Sequence, residues 1–176
     1  MPYPDAALLN APLTALTALT GAQGSGSGAL PAVGLHLLTD PGADMTLNWS
    51  SPRGRLIEVS TTINAPGKWC VLRLDLDLPD LSACAGLSFW LRSAASPALV
   101  MQALIRSGTD DGHVDCVFER DILSHAAASD HTGMMLTGRT PDLPCHAPWR
   151  MFELLLPPYR PITLAIDALR LFPVPA

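Results

Sequence analysis

The feature that most constrains the fold is an alternation of apolar and polar residues with a period of two. Residues 70–79 read CVLRLDLDLP, where every even position from 72 to 78 is leucine and positions 73, 75 and 77 are charged. Because successive side chains of a strand point to opposite faces, this run predicts a β-strand with one buried and one solvated face. Further segments alternate similarly: RLIEVSTTI, LSFWLRS, LVMQALIR, HVDCVFER, WRMFELLLPP and ITLAIDALRLFP.

The spacing of these segments indicates an all-β fold in a single domain of the 176-residue chain. Eight to ten short strands with turn signals between them and little convincing helix predict an antiparallel β-sandwich or barrel. Residues 107–112, SGTDDG, have the composition of a hairpin turn. Residues 121–148 are long for a loop, and connections of that length are usually functional or mobile.

Residues 1–28 form a leader that differs from the sandwich domain expected over residues 29–176. Leu9, Leu13, Leu16 and Leu19 lie near helical spacing, and the GSGSG that follows is typical of a flexible tether. Two interpretations stay open: a short helix that docks on this domain or on a partner, and a mostly disordered segment.

Charge and composition limit the classes of partner that the protein is expected to bind. The net charge of −5 argues against a nucleic-acid surface, which needs a basic stripe. No run of about 18 uninterrupted apolar residues predicts a membrane span, and the N-terminus lacks the basic region of a secretory signal. The expected location is therefore cytoplasmic, with leaderless export or a truncated chain as the alternatives. The four cysteines form no CxxC pair, and Cys70 and Cys116 are expected to be buried free thiols.

The last strand-like segment, residues 162–173, changes phase in its middle. Ile162, Leu164 and Ile166 share the even face, whereas Leu169 and Leu171 share the odd one. Keeping both halves buried on one face requires an extra residue at positions 167–168, which is a β-bulge. The bulge would turn the Asp167 carboxylate toward the sheet edge, where it meets backbone N–H groups, an arginine or a cation. The alternative is a strand covered on both faces, with Asp167 paired to Arg170 or a neighbour.

The order of these elements resembles that of jelly-roll carbohydrate-binding modules, the galactose-binding-domain-like β-sandwiches. The similarity rests on residues 66–108, which contain the FWLRS strand, and on the closing pair WRMFELLL and ITLAIDALRLFP, and it covers roughly residues 33–175. The resemblance implies a jelly-roll sandwich. Because one fold hosts many functions, it implies a ligand less strongly.

The resemblance also implies a sugar-binding sheet face, on which a flat aromatic stacks on a sugar ring beside planar polar side chains. The polar positions of neighbouring strands supply the candidate ligand-binding residues Trp90, Arg92, Gln102, Arg106, Asp115 and Glu153, provided that these strands share one sheet. The alternative is an ordinary solvated face with cross-strand charge pairs, such as Arg92 with Glu153. Trp49, Trp69 and Trp149 are expected to pack in or at the edge of the core.

A structural Ca²⁺ is a further implication of the resemblance, because such modules often hold one near the first and last strands. Asp40, Asp44 and Asp167 would be its ligands, and carboxylate oxygens suit this cation. The glutamate-containing pattern usual at that site is replaced here by LLTDPG.

The sequence therefore favours a non-catalytic module that recognises a glycan or polysaccharide. The first alternative is a protein–protein interaction or assembly module in polysaccharide synthesis or handling, using the same face or the leader. The second is a metal-dependent enzyme built on acids and histidines between His113 and His146, whose spacing matches no established signature.

Overall fold

The computed structural model of the protein describes residues 4–176, so residues 1–3 of the predicted leader lie outside the described residues. The helices are α1 (Ala6–Leu9) and α2 (Ala11–Ala18), with a 3₁₀ turn at Thr137–Arg139. The strands are β1 (Gln23–Ser25), β2 (Gly28–Ala29), β3 (Leu35–Thr39), β4 (Asp44–Ser50), β5 (Ile57–Ala65), β6 (Cys70–Leu76), β7 (Cys84–Ser96), β8 (Leu99–Thr109), β9 (Gly112–Val117), β10 (Ile122–Ser124), β11 (Ser129–Leu136), β12 (Arg150–Leu156) and β13 (Thr163–Pro175).

The strands form two antiparallel sheets, which confirms the predicted all-β sandwich. The six-stranded sheet has the order β1-β4-β5-β13-β7-β11. The seven-stranded sheet has the order β10-β8-β12-β6-β3-β2, and β9 also pairs with β8. The predicted hairpin joins β8 to β9, with Thr109 opposite Gly112. No helix among residues 4–176 is long and apolar enough to cross a membrane.

The core fills the space between the sheets, and the predicted alternation decides which side chains enter it. Leu72, Leu74 and Leu76 on β6 are buried. The rings of Phe89 and Phe118, from β7 and the β9–β10 connection, meet edge to face with centroids 4.9 Å apart. Cys70, Cys84 and Cys116 are buried free thiols, and burial raises the pKa of Cys70 to about 12.

The predicted bulge in the last strand is confirmed. The pairing of β13 with β7 shifts register between Ile166 and Ala168, so that Asp167 is the extra residue. Its carboxylate lies 3.2 Å from Arg55 Nε and 3.5 Å from Arg92 Nε. The sequence left several partners open for this carboxylate, and in the structure its ion-pair partners are arginines.

The leader is ordered and belongs to the sandwich. Leu9, Leu13 and Leu16 are buried in the core. The side chain of Asn10 accepts a hydrogen bond from the Leu171 N–H at 2.9 Å and donates one to the Leu171 carbonyl at 2.8 Å, as a neighbouring strand would. The tether interpretation of the GSGSG segment is wrong, because its residues belong partly to β1 and β2, which pair with β4 and β3. Backbone pairing stabilises these glycines although they lack side chains to pack.

The long connection of residues 121–148 is also more regular than the sequence indicated. It contains β10, β11 and the 3₁₀ turn. Its end is held by the buried Arg150 guanidinium, which donates to the carbonyls of Leu78, Pro144 and Cys145 and to the Ser107 hydroxyl. Burial lowers the pKa of Arg150, and these acceptors compensate the buried guanidinium for its lost water.

Candidate functional site

The six predicted ligand-binding residues do not share one face. Trp90 and Arg92 lie on β7 of the six-stranded sheet, whereas Gln102, Arg106, Asp115 and Glu153 lie on β8, β9 and β12 of the seven-stranded sheet. The predicted cross-strand pairing of Arg92 with Glu153 is therefore wrong. Strand parity predicts which side chains point outward, but sheet membership depends on pairing between segments far apart in the sequence.

On the seven-stranded sheet, four charged side chains from adjacent strands form one network. Glu153 Oε1 lies 2.7 Å from Arg73 Nη2 and 3.6 Å from Arg106 Nη1. Arg106 also donates two hydrogen bonds to the Asp115 carboxylate, at 2.6 and 2.7 Å. Glu153 is only 1% exposed, so its charge is balanced inside the surface by the two arginines.

The bidentate pair at the rim of this network keeps both partners ionised. The hydrogen bond from Arg106 lowers the pKa of Asp115, and the hydrogen bond to Asp115 raises the pKa of Arg106. The Arg106–Asp115 pair therefore presents two planar groups of opposite charge.

A cleft of 350 Å³ lies over this network. Apolar side chains of Val71, Leu104 and Leu155 line it together with the four network residues. The ring of Trp69, just before β6, lies at its border and is 38% exposed. Trp69 is therefore not packed in the core as expected. It occupies an odd-numbered position of the same run as Val71 and Arg73, whose side chains point to the outward face.

Trp149 lies toward the other end of the same face. It directly precedes β12, is 38% exposed and shares the parity of Met151 and Glu153. Its ring covers Gly108, where an added Cβ would come within 2.6 Å of the indole. In the register of β12 with β6, the two tryptophans lie eight residues apart along the strand direction, which corresponds to roughly 26 Å. The sequence did contain a signal for the exposure of both rings, because each lies an even number of residues from a charged outward position on its strand.

The remaining predicted residues lie elsewhere. Gln102 is exposed on the seven-stranded sheet and donates to Asp121 Oδ1 at 3.0 Å. On the six-stranded sheet, the Trp90 indole N–H donates to Asp130 Oδ1 at 3.0 Å, and Arg92 Nη1 lies 2.7 Å from Asp130 Oδ2. Trp90 and Arg92 thus belong to a second outward face.

The predicted calcium ligands are not brought together. The Asp40 carboxylate accepts hydrogen bonds from the N–H groups of Gly42 and Lys68, which lower its pKa. Asp44 pairs with Ala65 at the end of β5, whereas Asp167 lies beside Leu56, before the start of β5. The bulge directs Asp167 to arginines on the six-stranded sheet, away from Asp40. Calcium binding stays a prediction without an assembled ligand set.

The acids and histidines considered for a metalloenzyme are also dispersed. His113 and Asp115 lie on β9, Asp130 and His131 on β11 of the other sheet, and His146 in the connection before β12. Within residues 4–176, no three His, Cys, Asp or Glu side chains are placed to hold a metal ion.

Comparison with known proteins identifies the fold. No family model and no curated protein matches the chain. Among solved structures, the CBM22-1 xylan-binding domain of Paenibacillus barcinonensis Xyn10C superposes with a TM-score of 0.57 at 11% identity, covering 89% of this chain and 97% of that one. The N-terminal cellulose-binding domain of Cellulomonas fimi β-1,4-glucanase C gives a TM-score of 0.55 at 13% identity, covering 80% and 88%.

A third neighbour is the family 11 carbohydrate-binding module from Clostridium thermocellum in complex with a β-1,3-1,4-mixed-linked tetrasaccharide. Its TM-score is 0.53 at 12% identity, and the alignment covers 88% of this chain and 97% of that one. Similarity at these identities shows a shared fold. The protein is a β-sandwich of the kind found in carbohydrate-binding modules.

Proposed function

We propose that the protein is a non-catalytic module that binds a glycan or polysaccharide in the cleft on the outer face of the seven-stranded sheet. The observation that carries the proposal is the pairing of an exposed indole, Trp69, with a row of planar charged groups that hold one another in place. The cleft volume of 350 Å³ is within the range of small-ligand sites.

The two kinds of side chain in the cleft match the two kinds of surface on a sugar. The C–H faces of a pyranose ring are apolar and pack on an aromatic ring, which contributes large contact area with few rotatable bonds. The sugar hydroxyls accept from guanidinium N–H groups and donate to carboxylates such as Asp115, in hydrogen bonds strengthened by charge. Because the ion pairs already fix Arg73 and Arg106, little side-chain entropy is lost on binding.

The structural neighbours support the class of ligand. Those named above are described as xylan-binding, cellulose-binding and bound to a mixed-linked tetrasaccharide. Each of these descriptions concerns a polysaccharide or a fragment of one, and such chains supply the matching apolar ring faces and hydroxyl edges.

Affinity electrophoresis in gels containing soluble xylan or mixed-linked β-glucan tests the proposal. We expect retardation of the protein, loss of most of it in Trp69→Ala, and normal retardation in Leu8→Ala. Leu8 is a matched control because it is 66% exposed on α1, which packs against β13 of the opposite sheet. No retardation in any gel, or equal retardation of Trp69→Ala and the control, would contradict the proposal.

The assembly alternative is weakened at one of its two predicted surfaces. Leu9, Leu13 and Leu16 of the leader are packed in the core of their own domain, so they are not available to a partner.

A further inference from the structure

We infer that the outer face of the six-stranded sheet carries a second glycan-binding cleft, and that the domain can therefore hold two polysaccharide segments at once. The inference takes its class of ligand from the proposed function. The cleft itself is argued from different residues.

The floor of this second cleft spans three strands and carries two exposed apolar side chains with a serine between them. Phe172 of β13, Ser88 of β7 and Met134 of β11 are aligned in register. Phe172 is 41% and Met134 is 54% exposed. Trp90 lies one level along the same face, aligned with Thr132, and is half-buried.

A wall beside the floor makes this surface a cleft. Glu119 and Arg120, from the connection between β9 and β10, line it together with Trp90, Thr132, Met134 and Phe172. Its volume is 480 Å³, again in the range of small-ligand sites. A walled cleft admits a narrow chain more readily than the flat surface of a globular protein.

The end of the cleft beyond Trp90 is polar. Asp130 accepts from both the Trp90 indole N–H and Arg92, at 3.0 and 2.7 Å. Arg92 also lies 3.5 Å from the bulge residue Asp167, which in turn contacts Arg55. The indole N–H is already bonded to Asp130, so the group that the ring offers a ligand is its π face.

The balance of charge favours an uncharged ligand. The charged lining residues, Glu119 and Arg120, have opposite signs, and Arg92 at the polar end is paired with acids. The guanidinium of Arg170, whose residue is aligned with Trp90, donates to the Leu169 carbonyl. A neutral polyhydroxylated chain with apolar ring faces meets these groups without leaving a charge uncompensated.

The placement of the two clefts gives the inference its functional content. They lie on the outward faces of two sheets that pack about 10 Å apart face to face, so the clefts open in opposite directions. One short oligosaccharide cannot occupy both. The domain can instead bridge two segments of long polysaccharide. Two weak sites on one domain then bind with increased avidity.

The experiment titrates the protein with a short oligosaccharide of a polysaccharide that retards it, and follows the four indole N–H resonances by NMR, assigned with single Trp→Phe variants. We expect the Trp69 and Trp90 resonances to shift with separate saturation curves, and calorimetry to give two sites per chain. Trp90→Ala should leave one site with the Trp69 curve unchanged, and Phe172→Ser should weaken the Trp90 curve at least several-fold. Phe172→Ser retains the Trp90–Asp130 bond, so the cleft can be tested even if Trp90→Ala folds poorly.

Cross-linking provides the second measurement. Mixtures of wild-type protein with the long polysaccharide should scatter light, and Trp90→Ala and Trp69→Ala should each remove that scattering. One site per chain, lost in Trp69→Ala and unaffected by Trp90→Ala and Phe172→Ser, would overturn this inference and leave the proposed function standing. Absence of any binding by the wild-type protein would overturn both.

Discussion

The outer faces of the two sheets carry the same kinds of side chain but bury them to very different extents. In the seven-stranded sheet the side chain of Glu153 is 2% exposed and contacts two arginines, whereas in the six-stranded sheet Arg92 and Asp130 are 41% and 51% exposed. The neighbours explain the difference. Glu153 lies opposite Leu104, but Arg92 lies opposite the small Ala168. Neighbouring side-chain volume, and not strand parity alone, decides whether an outward ion pair is buried.

The largest effect that can test this comparison is expected at Glu153. Glu153→Ala removes a buried carboxylate and leaves Arg73 without its ion-pair partner, while Arg106 keeps Asp115, and we expect a loss of about 3 kcal/mol of unfolding free energy. Urea unfolding followed by circular dichroism measures it. A loss as small as that of an exposed pair would show that the burial of Glu153 has no energetic consequence.

The six-stranded sheet also has a buried polar contact, but at the edge of β13 and not on its face. Asn10→Ala leaves the N–H and carbonyl of Leu171 without their partner, and we expect a loss of about 2 kcal/mol. Asp5→Ala, which removes the exposed cap of α1, is the matched control and should cost about 0.5 kcal/mol. Equal losses would mean that Asn10 acts only within the leader.

The rim of the seven-stranded network should give a smaller, pH-dependent effect. Arg106 lowers the pKa of folded Asp115 below its unfolded value, so the stabilisation is fully present above the unfolded pKa, near 4, and disappears as pH falls through the folded pKa. Because Asp115 is one-third exposed, we expect less than about 1 kcal/mol. Unfolding of wild type and Asp115→Asn between neutral pH and pH 2 should differ above pH 4 and converge below it. A constant difference would exclude titration of Asp115 as the cause.

The smallest effect is expected at the exposed pair of the six-stranded sheet. Asp130→Ala should change the free energy of unfolding by about 0.5 kcal/mol or less, because solvent screens both partners. The same urea assay at low and high salt measures it. A loss approaching that of Glu153→Ala would remove the energetic distinction between the two faces.

Much of the fold could be predicted because the signals are local. The leucine alternation of β6 and the phase change at Asp167 each depend on a few adjacent residues, and both appear in the structure as predicted. The candidate site was predicted only in part. Arg106, Asp115 and Glu153 are brought together as expected, but Trp90 and Arg92 are on the other sheet.

The missed tryptophans show a different limit. Trp69 and Trp149 have outward parity in the sequence, yet large aromatic residues at strand starts usually pack in the core. Both side chains are 38% exposed in the structure, and the Trp149 ring lies against Gly108, which has no side chain to displace it.

The strands, their inward and outward positions and the bulge at Asp167 follow from local alternation in the sequence, whereas the arginine partners of that carboxylate appear only in the structure. Which strands share a sheet, and hence that the candidate ligand-binding residues are divided between two outward faces, became apparent only from the three-dimensional structure. The leucine spacing of the leader indicated a short helix, but the contact of the leader with the edge of β13 could not be predicted. The physical reason is the range of the interactions: side-chain alternation is set within one strand, whereas sheet membership and edge contacts such as Asn10 with Leu171 join residues far apart in the chain.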